Sequence, residues 1–243
     1  MHRPLVSLAF TLALAAPVAA GPRLVEPKLT VAKAHGGPPR VALTFDACMG
    51  KVDQRIFDVL LREKIPATIF VTARWLKHNP QATAILLAHP DQFEIENHGA
   101  MHVPPVDYPT TVYGITAAGS PEAVAREVEG GGAAIVAAGA PQPHWFRGAT
   151  AKYTASSIAG ISSLGYKIAG YSLNGDDGSL LGARAAERRI AGARDGDVVI
   201  AHINQPTHAA GEGVARGILA LKASGVQFVR LSDADAVPSQ PAL

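Results

Sequence analysis

The stretch Val41-Ala42-Leu43-Thr44-Phe45-Asp46 decides the fold. Five apolar or β-branched residues run on without a polar alternation and end at a carboxylate, the pattern of a strand covered on both faces of a parallel sheet. Runs of the same kind recur at 67–71, 93–95, 144–146, 167–173, 198–201 and 227–231, which makes seven strands. Helical patterns lie between them. In 53–64, Ile56, Phe57, Leu60 and Leu61 share one helix face, while Arg55, Asp58, Arg62 and Glu63 take the other. Comparable stretches occupy 80–88, 121–138, 155–164, 183–193 and 211–223, with Pro80 and Pro121 suited to helix starts and Gly139, Gly165 and Gly225 to helix stops. Strands alternating with helices predict one α/β domain built on a parallel sheet or barrel.

Composition narrows the function classes. The 22 Lys+Arg and 20 Asp+Glu nearly cancel and no basic tract occurs, so nucleic-acid binding has no electrostatic support. The single cysteine, Cys48, excludes an intramolecular disulfide and reads most simply as a small buried hydrophobe. At the start, His2 and Arg3 precede an apolar run over 5–18, and Val18-Ala19-Ala20 offers small residues for cleavage. Residues 1–20 therefore read as a signal peptide that directs the chain to the periplasm or outside the cell. The apolar run, interrupted by Pro17, falls short of the roughly 20 residues a bilayer core needs, so no stable membrane insertion is expected after cleavage. Residues 21–40, rich in Pro and Gly, read as an irregular lead-in, and 237–243 as a disordered tail. The long loop at 103–120, with Pro104, Pro105, Pro109 and Gly119, is expected to be functional. Nothing in the sequence speaks to oligomeric state.

Chemically capable residues fall where those strands end. Asp46 closes the first strand, His98 follows the third, Arg147 the fourth, Asp176 and Asp177 the fifth, and His202 the sixth. In parallel α/β architectures the carboxyl ends of the strands share one crevice, so the set marks a candidate site. His98-Gly99-Ala100-Met101-His102 puts two imidazoles four residues apart, which on one helical turn makes them neighbours able to share a metal ion. Glu96 and Asn97 offer partners to orient an imidazole. Two His ligands and a carboxylate leave zinc open positions for a water, acidified to a pKa of roughly 7. Asp46, ionised at neutral pH, suits the base and His202 the acid for the leaving nitrogen, with Asp176 or Asp177 holding the tautomer of His202 and Arg147 paired with Asp46.

These residues resemble the ordered motifs of the polysaccharide deacetylase (NodB homology) family over about 41–231. The family's Thr-Phe-Asp-Asp is matched by Thr44-Phe45-Asp46-Ala47, its His-x3-His by His98 to His102, its Arg-x-Pro-aromatic by Arg147-Gly148-Ala149-Thr150, its Asp motif by 174–178, and its closing Leu-x-x-His by Val199-Ile200-Ala201-His202. The resemblance implies a distorted (β/α) barrel of about seven strands with the catalytic domain over 41–236. It implies a hydrolase that removes acetyl groups from N-acetylated sugars of an envelope or extracellular polysaccharide. His98 and His102 would hold a divalent metal, zinc or alternatively cobalt, with Asp46 as base, His202 as acid, and Arg147 and Asp176 or Asp177 tuning them.

Three departures mark a divergent branch. Ala47 stands where the family has its third metal ligand, so that place falls to Asp46, the favoured reading, to Asp53 or to a water, or the metal is weak or absent. The third motif has lost its Pro and aromatic residue, leaving a backbone N–H near Thr150 to stabilise an oxyanion. Gly178 replaces a Trp. Two further readings follow: a metal-independent C–N hydrolase of a small amide, and a carbohydrate-binding protein without catalysis. Tyr108, Tyr113, Trp145 and Tyr171 are the aromatic residues available to stack on sugar rings.

Overall fold

The computed structural model describes residues 23–239; the expected signal peptide at 1–20 lies outside them. The strands are β1 (Lys28–Val31), β2 (Arg40–Ala47), β3 (Ala67–Val71), β4 (Phe93–Asn97), β5 (Thr111–Val112), β6 (Ile115–Thr116), β7 (Trp145–Phe146), β8 (Lys167–Ile168), β9 (Leu173–Asn174), β10 (Val198–His202), β11 (Gln227–Val229) and β12 (Ala236–Ser239). The helices are α1 (Gln54–Arg62), α2 (Ala73–His78), α3 (Pro80–Ala88), α4 (Pro121–Ala137), α5 (Ala155–Ser163), α6 (Ala183–Ala191) and α7 (Ala209–Ala223).

Seven of the strands run in the order β8-β7-β4-β3-β2-β10-β9, every pairing parallel, and β11 adds to the start of β2 with Gln227 opposite Arg40. This curled sheet with its helices is a distorted (β/α) barrel, the fold class anticipated. The expected strand at 167–173 divides into β8 and β9, which lie at opposite ends of the sheet order. The chain between them passes Gly170, where a Cβ would come within 2.2 Å of the Pro27 carbonyl oxygen, so only glycine lets the two backbones approach there.

Two terminal expectations need correction. The lead-in is not wholly irregular, nor is the tail disordered from 237, because β1 and β12 pair antiparallel with Lys28 opposite Ser239. Leu29 and Val31, both buried, tuck the ribbon against Ala42, Val198 and Val229, and that burial supplies the reason for its order. Residues 240–243 lie outside the described range.

β2 is buried from Val41 to Ala47. Phe45 and Ala47 belong to the main cluster with Ile56, Leu60, Ile69 and Val214, whereas Ala42 faces the second cluster with Phe70 and Ile200. Thr44 satisfies its buried hydroxyl by donating to the Val199 carbonyl at 2.6 Å. Helix α1 starts where Asp53 caps it, accepting from Arg55 N–H at 3.1 Å. Helices α6 and α7 pack closely because α7 presents glycines: a Cβ on Gly213 would lie 2.0 Å from the Ala183 carbonyl oxygen. Gly213→Val should therefore cost about 1–3 kcal/mol by forcing the helices apart. Urea unfolding would measure it, and an unchanged midpoint would show that the helices separate freely.

Candidate functional site

The carboxyl ends of the strands converge as the pattern required. Asp46 lies near the end of β2, His98 directly after β4, Arg147 directly after β7, Asp176 two residues past β9, and His202 ends β10. β2 and β10 are parallel neighbours with His202 opposite Asp46, so the expected acid and base stand side by side. They border a cavity of about 680 Å³ whose lining includes Asp46, Cys48, His102, Thr150, Asn204 and His202.

Arg147 organises one side. Its guanidinium is fully buried; Nη1 donates to Asp46 Oδ1 at 3.0 Å and Thr44 Oγ1 at 2.8 Å, Nη2 to Gly170 O at 3.0 Å, and Nε to Ala169 O at 3.2 Å. The group also stacks over Phe70 at 4.3 Å. Burial alone would raise the Asp46 carboxyl, but the charges of His98, Arg147 and His202 and the Arg147 hydrogen bond outweigh it and hold Asp46 below its ordinary value. Asp46 is therefore ionised at neutral pH.

The imidazoles are oriented from behind. His98 Nδ1–H donates to the Arg147 carbonyl at 2.5 Å, because a carbonyl can only accept; this turns Nε2 toward the site, where it offers a lone pair once the ring is neutral. Glu96, expected to orient a histidine, turns elsewhere and accepts from His144 and Trp145 N–H at 2.9 and 2.7 Å. Asn97 helps less directly, accepting from Gly99 N–H at 2.8 Å. His98 to His102 does not form a helical turn, a correction to the sequence reading. It is a loop with φ of 90° at Gly99 and 65° at His102, and it brings the two rings to 5.1 Å between centroids. The buried Glu127 of α4 clamps that loop, accepting from Met101 and Val103 N–H at 3.0 Å each. A left-handed backbone at a histidine is costly unless held in this way.

On the other side, Asp176 is fully buried and accepts from His202 twice, from its backbone N–H at 2.6 Å and from Nδ1–H at 3.0 Å. Burial pushes the His202 imidazole down, yet the charge and hydrogen bond of Asp176, with Cys48, raise it well above the ordinary histidine value. Asp177 does not share this role. It sits at the cavity with φ of 54°, its N–H donating to Asn174 Oδ1 at 2.8 Å. Asp53, an alternative third ligand, is spent on capping α1 and pairing with Arg55 at 2.5 Å.

Three residues at the site had no part in the expected catalytic or metal-binding set. Glu127 gave no signal, because its role depends on α4 packing beneath the 98–102 loop. Asn204 lines the cavity with its buried side-chain amide unpaired among the described residues. Cys48 had a signal: alternation along a strand places residues 46 and 48 on one side and Ala47 on the other. The Cys48 sulfur lies 3.5 Å from His98 Nε2. Burial raises its thiol, but the charge of His98 and hydrogen bonds from His102, His202 and His98 bring it well below the ordinary value. The same site charges work on His98, whose pKa burial lowers but Asp46 and Cys48 hold up at about 8.

Donor atoms of Cys48, His98 and His102 all lie within 4.8 Å of one another. A sulfur with two imidazole nitrogens suits a borderline divalent cation of the zinc type. The Nδ1–H to carbonyl bond behind His98 is the outer support metal-binding histidines usually have. The residues present thus fit a metal ion.

The polysaccharide deacetylase family model matches residues 33–169, more than half of the chain. The matched segment carries Asp46, His98, His102 and Arg147 and ends before Asp176 and His202. No curated protein matches. Similar solved structures include a CE4 family pseudoenzyme from Bacillus anthracis at 18% identity and TM-score 0.65, covering 83% of this chain and 66% of that one. A family 4 acetyl xylan esterase from Clostridium thermocellum, in complex with a cobalt ion, is 23% identical with TM-score 0.63 over 80% and 89%. A family 4 carbohydrate esterase from Streptomyces lividans, in complex with acetate, is 20% identical with TM-score 0.60 over 78% and 91%. At such identities the likeness establishes the fold.

Replacing Arg147 by Met should cost about 3–5 kcal/mol, because it strands the Asp46 charge in the interior. Adding Asp46→Asn to that variant should recover part of the loss. Denaturant unfolding of the single and double variants measures both, and strict additivity would show that the two side chains are not coupled.

Proposed function

The chain belongs to the polysaccharide deacetylase family, and on that premise we propose that it is a metal-dependent hydrolase that removes acetyl groups from N-acetylated sugars of an envelope or extracellular glycan. The observation that carries the reading is the division of the site between two buried carboxylates with different partners. Asp46 pairs with Arg147 and Asp176 with His202. Acyl transfer from nitrogen needs a base and a separate acid, and this division provides one of each.

A divalent metal of the zinc type, or cobalt, held at His98 and His102 beside Asp46, would supply Lewis acidity toward the acetyl carbonyl and the attacking water. Asp46 takes a proton from that water as its oxygen bonds to the carbonyl carbon. His202, protonated and held by Asp176, gives a proton to the departing nitrogen as the C–N bond breaks, leaving acetate and the amine. The N–H at Thr150 is assigned to the oxyanion, and the left-handed φ of 69° there is the kind of backbone outlier that clusters at active sites. Tyr113, exposed at the cavity, is the aromatic face available to a sugar ring, whereas Tyr171, at the cavity wall, and Trp145 are both buried in the core. The charged and apolar pattern of residues 2–20 supports export to the periplasm or beyond.

Acetate release from N-acetylglucosamine oligomers and peptidoglycan fragments tests the reading. Chelator dialysis should abolish it, and zinc or cobalt should restore it. Asp46→Asn should lower turnover by about 10²–10⁴-fold, and because it leaves the buried Arg147 cation without its counter-charge, turnover is compared on protein whose folding has been confirmed by circular dichroism. Activity indifferent to the chelator would support the metal-independent amide hydrolase instead. Retained glycan binding with no acetate released from any substrate would support the binding-only reading.

The pH profile carries a second test. Because the His202 pKa is raised, its proton is present at neutral pH and activity is lost as pH rises through that raised value. Because the Asp46 pKa is lowered, Asp46 stays ionised throughout the neutral range and does not itself set the acid limb. Asp176→Asn should move the alkaline limb down toward the ordinary imidazole value of about 6.5. An unmoved limb would remove His202 as the acid.

A further inference from the structure

We propose that Cys48 is the third protein ligand of the metal, as a thiolate, in a Cys-His-His site that leaves Asp46 free to act as base. The inference rests on the metal-dependent reading and concerns which atoms hold the ion.

Three observations favour sulfur over the neighbouring carboxylates. Ala47 offers no donor and its methyl group is packed in the main core. One Asp46 oxygen is held by Arg147 at 3.0 Å, and Asp46 stands outside the three residues whose donor atoms all lie within 4.8 Å of one another. Asp53 is committed to the α1 cap and Arg55. The Cys48 sulfur, by contrast, stands 3.5 Å from His98 Nε2. Tetrahedral ligands at ordinary Zn–S and Zn–N lengths are about 3.5 Å apart, so this pair already has the spacing of two ligands on one ion.

The supports of the three donors point the same way. The Nδ1–H bond to Arg147 O leaves Nε2 as the His98 nitrogen that faces the cluster and can exchange its proton for an ion. The Cys48 main chain is anchored by its carbonyl, which accepts from the Thr72 hydroxyl, and Thr72 in turn caps α2. Glu127 fixes the strained loop that carries His102. Each donor is held by a different element before any ion arrives, as a preorganised site requires. Only deprotonated donors ligate, so binding would release to solvent whatever proton the Cys48–histidine cluster holds. A sulfur donor also biases the site toward zinc over harder cations such as manganese or magnesium.

Cobalt(II) added to the chelator-stripped full-length protein under anaerobic conditions tests this directly. The expected spectrum shows visible d–d bands together with an intense near-ultraviolet sulfur-to-cobalt charge-transfer band. Cys48→Asp should keep the visible bands and lose the near-ultraviolet one, and His98→Ala should lose both. A measurement on the unaltered protein removes any dependence on variant folding: an aromatic disulfide reagent should label Cys48 in the stripped protein, and zinc should block the labelling. Visible bands without charge transfer, or labelling that zinc does not slow, would overturn the thiolate ligand while leaving the deacetylase reading intact. Charge transfer in a protein that releases no acetate would uphold the ligand and defeat the deacetylase. A flat spectrum at every cobalt concentration would overturn both.

Discussion

The Arg147 guanidinium is the constraint on which the rest of the site depends. A buried cation is tolerable only when its donors are satisfied and a counter-charge is near, and Arg147 meets both conditions through Thr44, Asp46, Ala169 and Gly170. Its backbone is used as fully: N–H donates to Asn97 O at 2.9 Å, and the carbonyl receives His98 Nδ1–H. One residue thereby joins β2, β4, β7 and the 169–170 segment, and it fixes both the Asp46 carboxylate and the His98 imidazole. Lysine could not replace this arrangement, since a point ammonium has no planar fork.

Around that anchor the electrostatics separate two roles that would interfere if they merged. Asp46 is flanked by positive charge and stays ionised, whereas Asp176 spends its charge on His202 and keeps that imidazole protonated. Cys48 lies between the two halves, touching His98 and influencing His202. A divalent cation there would replace the proton-borne positive charge at His98 with its own, and the low-dielectric setting would make the exchange consequential.

The glycine that follows Arg147 has a structural reason. Gly148 stands where the side chain would collide with Pro105, as a Cβ there would lie 2.4 Å from Pro105 Cγ. Glycine at that point lets the 103–120 loop lie across the end of β7. The loop is not featureless: it folds into the β5–β6 hairpin, which brings Tyr113 and Ile115 to the cavity. Pro105 and Gly148 therefore act together, one supplying the loop and the other the room for it.

Much of this was legible in the residues alone. Unbroken apolar runs ending in polar residues specify parallel strands, because strand periodicity and two-sided burial act locally, and the positions of Asp46, His98, Arg147, Asp176 and His202 followed from those strand ends. What the sequence could not decide was which side chains meet. Asp176 and not Asp177 reaches His202, Glu127 and not Glu96 supports the histidine loop, and Cys48 faces the imidazoles. Each choice is set by contacts between segments far apart in the chain, such as α4 under the 98–102 loop and β9 beside β10. Local pattern fixes the direction of an element, but only packing fixes its neighbour.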